Sequence, residues 1–339
     1  MKASLFLASA LAATGLAAPS TSPQVAKRVT VTASELTKLD YWAEQAATSY
    51  CNSNNAAGAL IACSSSACPT VVSNKAVTIA SFQGSVTDIR GVVSVDPVKK
   101  VITVSFRGSS SVRNWMANVV FVQSSCSDLV SGCLVHTGFY TAWNEVATKV
   151  TAAVKSAKAT YPSYSIGVTG HSLGGAVATL AAAYLRKAGY TADLYTFGSP
   201  RVGNKAFAAF TTSQSGEEYR VTHDKDPVPR LPPIVFNYRH TSPEWWLKVP
   251  SPTTTSQVKI CTGYASISCN AGTLGLEVDD HTDYFGGIAA CSAGGFNWKR
   301  DDFNVAATNI TDEELEVRLN TWVAEDVDYV NSNNLETEA

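Results

Sequence analysis

The chain has 339 residues, 45 % of them hydrophobic, and a formal net charge of −2. That is apolar material for one large α/β domain or two small ones, and it excludes a wholly disordered chain. The charge divides unevenly: residues 29–300 carry 22 Lys/Arg against 17 Asp/Glu, whereas residues 301–339 carry 11 acids against the single Arg318. A mildly basic body with an acidic tail lacks the dense basic stripe that nucleic-acid binding requires.

The N-terminus reads as an export signal over residues 1–18. Met1-Lys2 supplies the positive start, Leu5 to Leu16 the apolar run, and Gly15, Ala17 and Ala18 the small residues of a cleavage point. A Pro/Ser/Thr segment closed by Lys27-Arg28 then reads as a propeptide over 19–28. A second dibasic pair, Lys299-Arg300, separates a folded body (29–300) from an acidic tail (301–339) open to removal. No stretch is long enough to span a bilayer. Eight cysteines in an exported chain imply disulfides, and spacing suggests the short pairs Cys63–Cys68, Cys126–Cys133 and Cys261–Cys269. Cys51 and Cys291 are left to staple the ends of the body. No CxxC pair stands near histidine, so neither a metal nor any other cofactor is expected.

In chain order, a capping box from Thr32 to Glu35 starts a helix to about Tyr50, with Leu36, Leu39, Ala43, Ala46 and Tyr50 as its apolar stripe. Residues 51–75 read as a cross-linked loop. Val101 to Phe106 is a buried strand. A helix runs from about Phe139 to Ala157, stopped by Tyr161-Pro162. Strand 164–169, Ala-rich helix 174–188, strand 192–197 and strand 219–223 follow. This alternation predicts one domain around a mostly parallel sheet with right-handed crossovers.

The strongest chemical signal is Gly170-His-Ser-Leu-Gly174 between a strand and a helix, the context that a GxSxG nucleophile elbow needs. Ser172 must stand on a sharp turn above the sheet, and Gly170 and Gly174 lack the Cβ that would clash there. The following helix aims its positive N-terminal end at the site. A serine hydroxyl also needs a base and an orienting acid, which follow it in the order acid, then histidine. The acid candidates are Asp193, Asp224 and Asp226, with Asp226 just past a strand's C-terminal end. Only His223, His240 and His281 lie downstream; with Asp226 as the acid, order excludes His223 and leaves His240 or His281, and spacing does not choose between them. Ser109, after the 101–106 strand, and Leu173 are the expected oxyanion donors.

Val112, Trp115, Met116, Val119 and Val120 recur at helical spacing directly after that loop, with Arg113, Asn114 and Asn118 opposite. Such a stripe serves equally as a core helix. Its place beside the catalytic loop points instead to a lid that turns its apolar face to lipid.

The segments Ser105-Phe-Arg-Gly-Ser-Ser-Ser111, Asn114-Trp115, Thr169-Gly-His-Ser-Leu-Gly-Gly-Ala176, Gly198-Ser-Pro-Arg-Val-Gly-Asn204, Asp226-Pro-Val-Pro-Arg-Leu-Pro-Pro233 and His240-Thr-Ser-Pro-Glu-Trp-Trp246 carry a specific resemblance. From about residue 30 to 295 the chain resembles the secreted filamentous-fungal triacylglycerol lipases of class 3, the Fusarium type above all. The resemblance implies an α/β-hydrolase fold with a helical lid, a triad of Ser172, Asp226 and His281, and an oxyanion hole from Ser109 and Leu173. It makes Trp115 a lid residue, puts His240 in a structural motif, and implies Cys51–Cys291, Cys63–Cys68 and a bridge ending at Cys133. Cys126 lies further upstream than the family pattern has it, and Cys261 and Cys269 have no counterpart in its best-known members.

The expected activity is hydrolysis of triacylglycerol esters by a secreted monomer at lipid–water interfaces. Phospholipase A1 and feruloyl esterase activities use the same fold, and a catalytically dead hydrolase fold acting as a binding protein is the reading from another class. The tail departs from the family. Thr311 to Glu314 is a second capping box, and Leu315, Leu319, Trp322, Val323, Val327 and Val330 form an apolar stripe on an acidic helix. Such a helix could cover the site mouth until removed; a disordered acidic tail is the plainer reading. Asn309-Ile-Thr311 is the glycosylation sequon.

Overall fold

The computed structural model describes residues 30–64, 66–108, 112–251, 253–292, 310–336 and 338. The expected signal peptide and propeptide, Ser109, Lys299-Arg300 and Asn309 lie outside the described residues.

Helix α1 (Ala33–Asn52) begins at the capping box: Thr32 Oγ1 accepts the Glu35 N–H, and the Glu35 carboxylate accepts the Thr32 N–H. The segment after it is not all loop. Helix α2 (Pro69–Ser73) forms there because Glu44 of α1 accepts the Thr70 and Val71 N–H groups at 2.7 and 3.1 Å, satisfying donors that a helix start leaves open. Strands β1 (Val77–Gln83) and β2 (Arg90–Asp96) form an antiparallel pair that sequence patterning missed. β2 is buried at six successive positions, so no polar alternation marks it.

The chain continues with β3 (Val101–Phe106), α3 (Val112–Asn118), the small pair β4 (Gln123–Ser125) and β5 (Leu134–His136), α4 (Thr137–Thr160), β6 (Ser165–His171) and α5 (Leu173–Lys187). Then come β7 (Ala192–Phe197), α6 (Lys205–Ser213), β8 (Glu218–His223), β9 (Glu244–Leu247), β10 (Val258–Cys261), α7 (Val278–Thr282) and α8 (Asp312–Asn333). The main sheet has eight strands in the order β1-β2-β3-β6-β7-β8-β9-β10. Pairing is parallel from β3 through β9 and antiparallel at both margins.

Alternating strand residues feed two cores. Ile102, Val104, Phe106, Ile166, Val168 and Leu194 pack with α4 and α5 on one face, whereas Tyr195, Phe197, Tyr219 and Val221 pack with α1 on the other. Trp42 of α1 stacks on Tyr195 at 4.2 Å, over Gly167, where a Cβ would lie 1.8 Å from the indole. The disulfides are Cys51–Cys291, Cys63–Cys68, Cys126–Cys133 and Cys261–Cys269; the first closes a span of 240 residues and ties the end of α1 to the segment after α7. Such a closure restricts the unfolded chain most. Among the described residues no helix is long and apolar enough to cross a membrane.

The register fixes where chemistry can happen. Phe106 pairs with Gly170, His171 with Phe197, and Phe197 with Val221, so β3, β6, β7 and β8 end nearly level. Their following loops meet at one edge of the sheet, the position where open α/β folds build sites.

Candidate active site

Ser172 occupies the one residue between β6 and α5, with φ 58° and ψ −131°. This left-handed conformation is costly for a residue with a Cβ, and it persists because both flanks are fixed. The Ser172 N–H donates to Phe197 O at 2.9 Å, and its carbonyl accepts the Gly175 N–H at 2.9 Å. The two elbow glycines have different neighbours. A Cβ on Gly170 would lie 2.3 Å from Gly174 O, and one on Gly174 would lie 2.2 Å from Phe106 O. The first lets the helix turn back on its strand; the second lets that helix start against β3.

Asp226 follows β8 in a turn held by Asn270, whose Nδ2 donates to Asp226 O at 3.0 Å and Asp224 O at 3.2 Å. Asn270 directly follows Cys269, so the Cys261–Cys269 bridge braces this loop. The Asp226 carboxylate is fully buried and accepts three donors. Oδ1 accepts the Val228 N–H (2.9 Å), while Oδ2 accepts the Tyr284 hydroxyl (2.5 Å) and His281 Nδ1–H (2.9 Å). Burial by itself raises the carboxyl pKa. The facing imidazole and these hydrogen bonds together outweigh that and hold it below the usual carboxylate value. Of the other candidates, Asp193 lies at the opposite end of the sheet and accepts the Glu217 N–H. His240 is buried with Nε2 2.8 Å from Pro229 O, and His223 N–H donates to the Tyr284 hydroxyl.

Gly198 joins serine and imidazole. It follows Phe197, the acceptor of the Ser172 N–H, and has φ +57°. A Cβ there would lie 2.7 Å from Asp226 Oδ2 and 3.1 Å from the His281 ring. His171 closes the circuit from the other side. Its Nε2 is 2.7 Å from His281 O; a carbonyl only accepts, so Nε2 carries the proton and Nδ1 accepts from the Tyr50 hydroxyl at 2.8 Å. Tyr50 Oη in turn accepts the Gly108 N–H at 3.2 Å, one residue before Ser109. Sequence reasoning assigned no role to Tyr50, His171, Gly198 or Tyr284. His171 stands next to Ser172 in the elbow motif, Gly198 opens one of the segments that carry the resemblance, and Tyr284 lies three residues after His281, but none of these positions states what its side chain or backbone meets.

Leu173 opens α5, where the backbone N–H points out of the helix with no intrahelical acceptor. Helix α3 lies over this edge. Val112 and Met116 are buried, Trp115 packs 6.1 Å from the Phe139 ring, and Val119 follows the helix end at Asn118. Between α3 and the elbow remains a cavity of ≈ 10 Å³ lined by Val112, Trp115, Ser172, Leu173 and Pro200. That is about one water's room. Ser172 is 2 % exposed, so the described conformation is closed to any ester.

The lipase (class 3) family matches residues 103–236, from β3 past β8. Secreted mono- and diacylglycerol lipase 1 of Fusarium solani is 49 % identical over 307 residues, 90 % of either chain. The chain belongs to the class 3 lipase family. Secreted mono- and diacylglycerol lipase A of Penicillium camembertii is 40 % identical over 310 residues, 88 % of this chain and 100 % of that protein. The crystal structure of mono- and diacylglycerol lipase from Aspergillus oryzae superposes with a TM-score of 0.73 at 39 % identity, covering 77 % of this chain and 100 % of that one. The protein is therefore a secreted lipase of α/β-hydrolase fold.

Burial lowers the pKa of three of the lipase's histidines: His136 to about 4, His171 to about 3 with the His281 charge adding to it, and His240 well below 6.5. Folded, they stay neutral. Unfolded, each takes up a proton below about pH 6.5. The unfolded state then binds more protons, so this stability is complete above about pH 6.5 and is lost as pH falls toward the folded values. Each histidine contributes a slope of roughly 1.4 kcal/mol per pH unit. His240→Asn is expected to remove one such share from the slope as pH falls below about 6.5. Urea unfolding across that range checks it, and an unchanged slope would refute it.

Proposed function

We propose that Ser172, His281 and Asp226 are the nucleophile, the general base and the orienting acid of an acyl transfer that hydrolyses acylglycerol esters at lipid–water interfaces. The substrates are triacylglycerols together with the mono- and diacylglycerols for which the relatives are named. One observation carries the reading: a fully buried His281–Asp226 pair beside a positive-φ serine at the C-terminal edge of the sheet.

With Nδ1–H given to Asp226, the imidazole keeps its lone pair on Nε2. That nitrogen takes the Ser172 proton as Oγ bonds to the ester carbon. Asp226, ionised and held below its usual pKa, stabilises the imidazolium. The carbonyl oxygen becomes an oxyanion, received by the Leu173 N–H at the start of α5 and by Ser109, at roughly 3 kcal/mol per donor. Collapse breaks the bond to the glycerol oxygen, which leaves with the proton from His281. Water then repeats the cycle on the acyl-serine and releases fatty acid. No step calls for a metal or cofactor. The apolar face of α3, through Val112, Trp115, Met116 and Val119, is the surface that meets lipid when the lid opens. Residues 1–18 serve as signal peptide, 19–28 as propeptide, 29–300 as the lipase body and 301–339 as a removable tail; Asn309 is the glycosylation site, and the working form is a monomer.

Two measurements test the reading. A serine-directed alkyl phosphonate is expected to modify Ser172 stoichiometrically, as read by peptide mass. Release of fatty acid is expected to be faster from emulsified trioleoylglycerol and dioleoylglycerol than from phosphatidylcholine vesicles. Absence of labelling sinks the triad assignment. Faster release from phosphatidylcholine replaces the acylglycerol assignment with a phospholipase one.

A further inference from the structure

Helix α8 lies across the lid. Its capping box holds as the sequence predicts, with Thr311 Oγ1 accepting the Glu314 N–H at 3.2 Å and Glu314 accepting the Thr311 N–H at 2.8 Å. Its N-terminal half packs on α3: Leu315 and Leu319 are buried in one cluster with Val112, Met116, Val228 and Leu231. Both ends of α3 are also pinned by polar contacts. Arg113 Nε donates to Asp312 Oδ1 at 2.6 Å and its Nη2 to Ile310 O at 2.7 Å, while Arg318 Nη1 donates to Ala117 O at 3.1 Å. Trp322 meets the ring of Phe121, just past the lid helix, edge-on at 5.2 Å.

The C-terminal half is fixed to the body instead. Asp326 is buried, with Oδ2 3.2 Å from Arg201 Nη1 and Oδ1 accepting the Val235 N–H at 3.0 Å. Arg201 is buried too and spends the same nitrogen on Arg230 O and Pro232 O. Nearer the N-terminus of the helix, Asn320 Oδ1 accepts the Gly275 N–H of the body. Glu336 accepts the Ile267 and Ser268 N–H groups, and Glu338 meets Arg239 Nε at 2.8 Å. A rigid helix that touches the lid along its N-terminal half and the body along its whole length is a strut. The lid cannot leave Ser172 unless the Leu315/Leu319 packing and the Arg113 and Arg318 contacts break first.

We propose that α8 is an intramolecular clamp that holds α3 closed over Ser172, so that loosening its N-terminal half raises the rate at which the site admits an ester. The proposal rests on the reading of Ser172 as nucleophile. The same acidic helix that carries the tail's charge thus acts by position, through six apolar and polar anchors on α3 and its neighbours. Scission at Lys299-Arg300, the dibasic pair preceding α8, would leave the helix held by these contacts alone, with the loss of effective concentration that untethering brings.

The test uses the full chain with two variants: Leu315→Glu/Leu319→Glu, which puts charge into the α3–α8 contact, and Arg318→Ala, a milder change that removes one lid contact at the surface. Neither touches the triad. Three readouts are taken: hydrogen exchange of the α3 amides (112–118), the rate of modification by a soluble alkyl phosphonate, and fatty-acid release from emulsified trioleoylglycerol. The double variant is expected to raise all three by about tenfold or more, and Arg318→Ala by about twofold, as the open population grows. Unchanged α3 exchange in both variants overturns the clamp, and so does a phosphonate rate that falls while the fold is intact by circular dichroism. If the double variant does not fold, Arg318→Ala decides alone by the same criteria. Faster exchange with no phosphonate reaction in any form, wild type included, upholds the clamp and overturns the nucleophile assignment, so the two failures are distinguishable.

Discussion

Ser172→Ala is expected to lower the turnover number for ester hydrolysis by about 10⁶ while leaving the fold in place, since in a serine–histidine pair the whole covalent route is lost with either member. Alanine fits the site: position 172 already holds a Cβ at φ 58°, and both backbone hydrogen bonds of the elbow survive the change. Asp226→Asn is expected to cost less, about 10⁴, because the imidazole stays in place with the wrong tautomer favoured. It also replaces a charge that His281 faces at 2.9 Å and that Tyr284 supports at 2.5 Å. Titrated fatty-acid release from emulsified ester, with thermal unfolding as the control for folding, measures both. A Ser172→Ala protein that retains even a hundredth of wild-type activity would overturn the acyl-enzyme route.

Gly170→Ala is expected to be strongly destabilising. The new Cβ would stand 2.3 Å from Gly174 O and 2.4 Å from Gly174 C, which are backbone atoms and cannot rotate away. Relief requires moving the first turn of α5 off β6, and α5 is buried along nearly its whole length. A loss of about 3 kcal/mol follows, the upper part of the range for overpacking that forces buried backbone to shift. Even protein that folds is expected to lose most of its activity, because an ångström of displacement at the nucleophile costs about a hundredfold. Gly189→Ala is the matching control. At φ +91° with no atom within 4 Å of the new Cβ, it bears only the conformational strain, about 1 kcal/mol. Chemical unfolding of the two variants side by side tests the contrast; equal losses would mean that the close approach at the elbow is not what fixes glycine at position 170.

Both predictions concern features that were legible in the sequence, and for the same reason. The elbow is local: five residues, a strand before and a helix after, with glycine wherever backbone meets backbone. The capping boxes at Thr32 and Thr311 are equally local, and each starts its helix where the spacing puts it. Strands β3, β6, β7 and β8 could be read from apolar runs between turn signals. The hairpin of β1 and β2 could not, since a strand buried at successive positions on a sheet margin shows neither alternation nor length. The helix at 69–73 was hidden too, because it exists through a carboxylate supplied by Glu44 from another element.

The site divides along the same line. Sequence order left His240 and His281 equal, and family resemblance favoured the second. What separates them physically is three-dimensional: His240 is spent on the Pro229 carbonyl, whereas His281 points Nδ1 at a buried carboxylate. Tyr50, His171, Gly198 and Tyr284 join the circuit from four separate segments, and no spacing rule connects them.

By itself, then, the sequence determined the strand-to-helix turn at Ser172, the central strands, the cysteine inventory and the two amphipathic helices at 112–118 and 312–333, because each depends on neighbours a few residues away. Tertiary structure alone decided which histidine faces Asp226 and what the second of those helices covers. An apolar stripe states only that a helix must bury one face; which surface receives it is settled by packing between residues some 200 positions apart, as Arg113 with Asp312 and Arg318 with Ala117 show.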